Sequence, residues 1–167
     1  MNLFLLRHAI AVPHGYPGID RDGDRPLTPK GEKKMRQIAE GLVALGVTLD
    51  LILSSPLVRA RQTAEILAKV YNEEEKLKYS DHLAVGGDPR MLINDVNQRF
   101  GAVDNVVLVG HEPSLSELVS VLLSGDPGLP FTMKKGGVCK LAVDKLIYGR
   151  CATFEWLLTP AQLSRIS

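Results

Sequence analysis

The feature that most constrains this chain is a pair of short, unbroken apolar runs, residues 3–6 and 106–109. A strand that is apolar at every position is buried on both faces, as in a parallel sheet covered on each side. Residues 49–53 read as another strand. Helix signals lie between the three. Thr28-Pro29 is a capping residue followed by proline at the first helical position, and Met35, Ile38, Leu42 and Leu45 recur at helical spacing until Gly46. Ser54-Ser55-Pro56 repeats the signal and predicts a helix to about Tyr71, with Arg59 about one turn inside it. Asp88-Pro89 predicts a helix ending near Gly101, residues 113–123 another, and Thr159-Pro160 a last short one. Residues 77–79 suggest a short strand, and 138–143 and 152–158 a strand pair around Tyr148-Gly149. Alternating strands and helices imply an α/β fold: a three-layer αβα sandwich whose central sheet is mostly parallel, with an antiparallel edge from the C-terminal hairpin.

In such sheets ligands bind beyond the carboxyl ends of the strands. Here the strand ends are unusual. The first strand runs into Arg7-His8-Ala9, the second into Ser54-Ser55-Pro56-Leu57-Val58-Arg59, the third into Gly110-His111-Glu112-Pro113. Two histidines and two arginines are thus delivered to one edge. Charge at the end of a buried strand is costly unless paired, and no acid stands near Arg7 or Arg59 in sequence. An anion is the simplest partner, and phosphate fits the planar guanidinium fork and the free N–H groups of a helix start. His8 is the candidate nucleophile, with Arg7, Arg59 and His111 placed to hold the equatorial oxygens of a phosphoryl group under attack.

Bulk properties narrow the class. The 167 residues suit one domain over 1–167, and 45% apolar content suffices for one core. A net charge of +1 gives no field for nucleic acid. No run reaches the length of a membrane span, and the apolar start is too short for a signal peptide, so a cytoplasmic location and no membrane partner are expected. Cys139 and Cys151 lack metal spacing and read as reduced thiols that flank a hairpin turn and could lie near each other. No metal and no cofactor are expected. Asp20-Arg21-Asp22-Gly23-Asp24 has the alternating acids of a calcium loop without its closing glutamate. His14 and His82 read as solvated loop histidines, Arg61 as an exposed helix residue, and Ser114-x-x-Glu117 as a capping box.

The strand-end motifs, taken in order, resemble the histidine phosphatase superfamily. Leu6-Arg7-His8-Ala9 is similar to its Arg-His-Gly signature. The likeness continues through Leu27-Thr28-Pro29-Lys30-Gly31 and residues 54–64, and ends at Val109-Gly110-His111. The resemblance implies a phosphoglycerate mutase-like fold, His8 as nucleophile, Arg7 and Arg59 as phosphate ligands and His111 as the second histidine. The short chain is similar to SixA-type phosphohistidine phosphatases, as is Arg25-Pro26-Leu27-Thr28, which suggests Arg25 as a further phosphate ligand.

Two departures matter. Ala9 stands where the family has glycine, which an ordinary backbone conformation accommodates. Many members carry a glutamate acid after the short middle strand, whereas residues 82–88 hold none; Asp20, Asp22, Asp24 and Asp88 are the substitutes at hand. An alkoxide leaving group needs a proton donor, while an imidazole can leave already protonated on its far nitrogen. The expected substrate is therefore a phosphohistidine on a phosphoprotein, such as a phosphotransfer domain. A small phosphomonoester is the alternative within enzymes, and a non-catalytic phosphoprotein-binding module the alternative outside them.

Overall fold

The computed structural model describes residues 1–167. In chain order the elements are β1 (Asn2–Arg7), α1 (Pro29–Ala44), β2 (Leu51–Ser54), α2 (Val58–Tyr71), β3 (Leu77–Tyr79), α3 (Pro89–Phe100), β4 (Asn105–Gly110), α4 (Ser114–Ser124), β5 (Val138–Val143), β6 (Ala152–Leu158) and α5 (Pro160–Ile166). The strands form one sheet in the order β3-β2-β4-β1-β5-β6. The first four are parallel neighbours, and β5 runs antiparallel to both β1 and β6, the expected hairpin edge.

Alternation along each strand splits the core in two. Leu3, Leu5, Leu53, Val106 and Leu108 face one side, where α3 and α4 bury Leu92, Val96, Leu115, Leu118 and Leu122 against them. Phe4, Leu6, Ile52, Val107 and Val109 face the other, packed on Met35 and Ile38 of α1, Ala64 and Leu67 of α2 and Leu163 of α5. The three-layer αβα sandwich follows, each fully buried aliphatic side chain contributing about 1.5–3 kcal/mol of transfer free energy.

This layering opens the site. β1 and β4 are adjacent, yet β1 leads into α1 on one face while β4 leads into α4 on the other. The two connections diverge and leave a crevice at the carboxyl ends of both strands, as expected where an open parallel sheet switches winding direction.

Four local expectations are corrected. β2 starts at Leu51 rather than at residue 49: Asp50 N–H still donates to Asn105 O at 2.9 Å, but the Asp50 carboxylate, not a strand carbonyl, accepts from the Asp104 and Asn105 N–H groups (3.2 and 2.8 Å). α2 starts at Val58, so Arg59 sits in its first turn; Ser55 is engaged elsewhere, its hydroxyl accepting from Leu57 N–H at 3.2 Å. Ser114 forms no capping box, since Pro113 occupies the cap position of α4 without a side-chain bond. The two cysteines are free and lie towards opposite ends of the hairpin. Cys139 pairs in register with Leu157, whereas Cys151 immediately precedes Ala152, which pairs with Val143. Thr28, Asp88 and Thr159 do cap their helices, with proline next in each case. No helix is long and apolar enough to cross a membrane.

Candidate active site

His8, Arg59 and His111 meet at the crevice, each less than 6% exposed. The β1–β4 ladder continues one residue past β1, with His8 N–H donating to Gly110 O at 3.0 Å, and this places the His8 and His111 rings 5.2 Å apart between centroids. Two bonds define the protonation of His8. Its Nδ1 lies 2.8 Å from Ala9 O, and a carbonyl only accepts, so Nδ1 carries the proton. Arg59 Nε, which only donates, lies 3.3 Å from Nε2, so Nε2 presents its lone pair. Burial, together with the charges of His111, Arg59 and Arg7, outweighs the Ala9 bond and holds the His8 pKa down at about 3. The imidazole is neutral and tautomerically suited to attack through Nε2.

The cations are held by backbone. Arg7 donates from one terminal nitrogen to Met133 O at 2.6 Å, and its buried Nε has no protein partner. Met133 N–H in turn donates to Glu112 at 3.3 Å, and Glu112 accepts from Ser116, so the segment facing Arg7 is tied to α4. Thr63, one helical turn after Arg59, accepts from Ala9 N–H at 3.0 Å and donates to Arg59 O at 2.6 Å, fixing the loop after His8 to the start of α2. Thr63 is a positioning residue that the motif spacing Arg59-x-x-x-Thr63 made available but that carried no chemical signal of its own.

His111 is neutral as well. Burial first, then the charge of Arg59, lowers its pKa to about 4. Its Nε2 lies 2.9 Å from Ser55 Oγ, while Nδ1 is buried without a protein partner. The Ser55 hydroxyl accepts from Leu57 N–H and still has its own proton to donate. Donating it to Nε2 leaves the His111 ring proton on Nδ1, where a phosphoryl oxygen can accept it.

The largest departure from expectation is Asp22. No acid near Arg59 was apparent in sequence, yet the loop after β1 folds Asp22 back, and its carboxylate lies 3.1 Å from Arg59 and 2.8 Å from Arg25. Burial pushes the Asp22 pKa up, but hydrogen bonds from Arg25 and the charge of Arg59 prevail and hold it below the usual value. Arg25 itself is buried, donates to Val12 O at 2.7 Å and shares the Asp22 carboxylate with Arg59. Of the substitute acids, Asp22 is held as a carboxylate, Asp24 pairs with Arg21 at 2.9 Å, and Asp88 caps α3 by accepting from Arg90 N–H at 2.8 Å. Asp20 is exposed and takes no part in these bonds. His14 is exposed but touches Asp22 at 3.2 Å. His82 is half-buried against a neighbouring cleft, unlike the solvated residue expected. Arg61 is exposed and near Glu65, as read. No group of three or more His, Cys, Asp or Glu side chains is gathered as a metal site requires.

Comparison with known proteins gives four further findings. A family model described as the histidine phosphatase superfamily (branch 1) matches residues 3–84, a span that includes Arg7, His8, Arg25 and Arg59. The chain is 38% identical over 142 residues to an uncharacterized protein of Picosynechococcus sp., covering 84% of each. It is 27% identical over 166 residues to the phosphohistidine phosphatase SixA of Escherichia coli, covering 98% of this chain and 96% of that one. A solved structure of the protein histidine phosphatase SixA complexed with tungstate superposes with a TM-score of 0.84 at 26% identity, over 98% of this chain and 99% of that one.

Proposed function

We propose, from the premise that the chain belongs to the histidine phosphatase superfamily and has its phosphoglycerate mutase-like fold, that this phosphatase hydrolyses phosphohistidine on phosphoproteins through a covalent intermediate on His8. Residues 1–167 act as one such domain. The observation that carries the reading is the pinned tautomer of His8, with Nδ1–H on Ala9 O and an unprotonated Nε2 whose lone pair faces the Arg59 guanidinium at 3.3 Å.

His8 Nε2 attacks phosphorus in line, forming a new N–P bond as the substrate N–P bond breaks. The departing imidazole keeps the proton on its far ring nitrogen and leaves neutral. Phosphorylated His8 is then an imidazolium, because Nδ1 retains its proton, and Ala9 O stabilises that charge. Water attacks phosphorus next, His8 leaves as neutral imidazole, and the water's proton passes to phosphate. Neither step draws a proton from a protein acid. That suits a chain whose residues 82–88 lack the glutamate and whose Asp22 is held as a carboxylate. Arg7, Arg25, Arg59 and His111 hold the equatorial oxygens, with guanidinium groups in place of a metal ion. The connection from β3 to α3, residues 80–88, is short and holds a single helical turn, Asp81–Leu83, which supports entry of a protein side chain.

The test is turnover of phosphohistidine proteins, phosphoramidate and p-nitrophenyl phosphate in the presence of chelator, by wild type and by His8→Ala. Wild type is expected to prefer N–P substrates and to yield an acid-labile, alkali-stable phosphoprotein on rapid quench. His8→Ala should lose about a thousandfold or more and yield no adduct. A preference for phosphoesters would move the assignment to a small-molecule phosphatase. No turnover of any substrate would leave a phosphoprotein-binding module.

A further inference from the structure

A cavity of about 250 Å³ lies between α3, α4, the segment around residues 82–87 and the β5–β6 loop, and of its lining the chemistry above uses His111 alone. Leu83, Pro89, Leu92, Leu115, Leu118 and Tyr148 supply its apolar walls. His111 forms part of the wall, so the cavity adjoins the phosphoryl-binding crevice. The polar lining beyond His111 is His82, Ser114 and Glu117, with no lysine or arginine. Val85, Met91 and Ile147, sequence neighbours of the lining residues, are large apolar side chains left 58%, 47% and 46% exposed. Single exposed apolar groups are ordinary, but three of them on the segments that build an apolar cleft suit a contact surface.

Two adjoining compartments of opposite character follow. One is cationic, built on Arg7, Arg25 and Arg59. The other is apolar, with a single carboxylate at Glu117. A metabolite bearing a second phosphate or a carboxylate beside its phosphoryl group would meet Glu117 in that lining and no lysine or arginine; the Arg90 guanidinium instead stacks on the Tyr148 ring at 4.0 Å. An uncharged apolar neighbour is complementary. On a helix, side chains three or four residues apart lie about 5–6 Å from each other on one face. We propose that this cleft receives an apolar side chain three or four residues away from the phosphohistidine on a helix of the phosphoprotein substrate. The inference rests on the phosphatase reading above and adds a specificity pocket to it.

The probe is a helical peptide phosphorylated on its one histidine, carrying Leu, Ala or Glu at both the −4 and +4 positions, with phosphoramidate as the substrate too small to reach the cleft. Wild type is expected to favour the Leu peptide over the Ala peptide by about tenfold in kcat/KM, mostly through KM, with the Glu peptide lowest. Tyr148→Ala, in a surface loop, should erase the Leu preference and leave phosphoramidate turnover unchanged. Glu117→Lys, on the exposed side of α4, should raise turnover of the Glu peptide. Equal kcat/KM for all three peptides alongside normal phosphoramidate turnover would overturn the cleft assignment and leave the phosphatase intact. Hexyl phosphate turned over faster than the Leu peptide would also overturn it, by giving the cleft to a small apolar ester. Failure to turn over phosphoramidate would remove the phosphatase reading and this inference with it.

Discussion

Arg59 serves two partners, donating from Nε to His8 and from its terminal nitrogens to the Asp22 carbonyl and carboxylate. A phosphoryl dianion arriving beside it must share those guanidinium charges with a carboxylate already in place. Asp22→Asn keeps an oxygen to accept from the arginines and removes the competing charge. Inorganic phosphate is then expected to inhibit a few-fold more tightly, in line with the modest strength of a partly exposed ion pair, with kcat little changed. Weaker inhibition by phosphate would mean that the charge of Asp22 organises the arginines more than it opposes the anion. Ser55 makes the complementary case for a neutral group. Ser55→Ala removes the partner of His111 Nε2, and the ring proton is no longer directed to Nδ1. A fall in kcat of up to about tenfold at similar KM is expected, with recovery in Ser55→Thr and a changed tautomer signature for His111 in nitrogen NMR. An unaltered NMR signature would assign Ser55 to the backbone bond with Leu57 alone.

The same contrast between local and distant causes decides what could be read from the sequence at the level of elements. Thr28-Pro29-Lys30-Gly31 was legible as a helix start because its cap is local: Thr28 Oγ1 accepts from Gly31 N–H at 2.9 Å. The glycine has a reason no local rule supplies. A Cβ at Gly31 would collide with the backbone carbonyl of Ile10, where the loop after His8 crosses the first turn of α1. Gly31→Ala is therefore expected to lose about 1–3 kcal/mol in urea unfolding and to reduce activity by shifting the His8 loop, whereas Gly46→Ala, at a positive φ with open space, should leave activity unchanged. Equal activity in the two variants would separate helix α1 from the site. The strands and their charged ends could be read because burial on two faces leaves a plain apolar pattern, so His8, Arg59 and His111 were found. Ser54-Ser55-Pro56 misled on the start of α2 because Ser55 spends its hydroxyl on His111, on a different strand end. Asp22 was missed as the partner of Arg59 because that pairing depends on how an irregular loop folds across thirty-seven residues of sequence separation.

For the molecule as a whole, two neutral histidines in one crevice link stability to pH. In the unfolded chain a histidine takes up its proton near pH 6.5, while in the folded chain His8 and His111 do so near 3 and 4. Between these limits the unfolded state binds more protons, so stability is fully present above about pH 6.5 and falls as pH drops towards the folded values. At pH 5.5 each histidine contributes a loss of about 1.4 kcal/mol relative to neutral pH. The loss precedes the one expected from Asp22, whose lowered pKa acts only as carboxylates begin to protonate, further into acid. Urea midpoints at pH 7.5, 6.5 and 5.5 are therefore expected to decline in wild type and to decline much less in His8→Asn/His111→Asn, which carries no proton-binding ring at either position. Parallel declines in the two proteins would show that the rings titrate freely in the folded state. A nucleophile kept neutral by burial among guanidinium groups requires that they do not, so the stability curve tests the catalytic premise without any substrate.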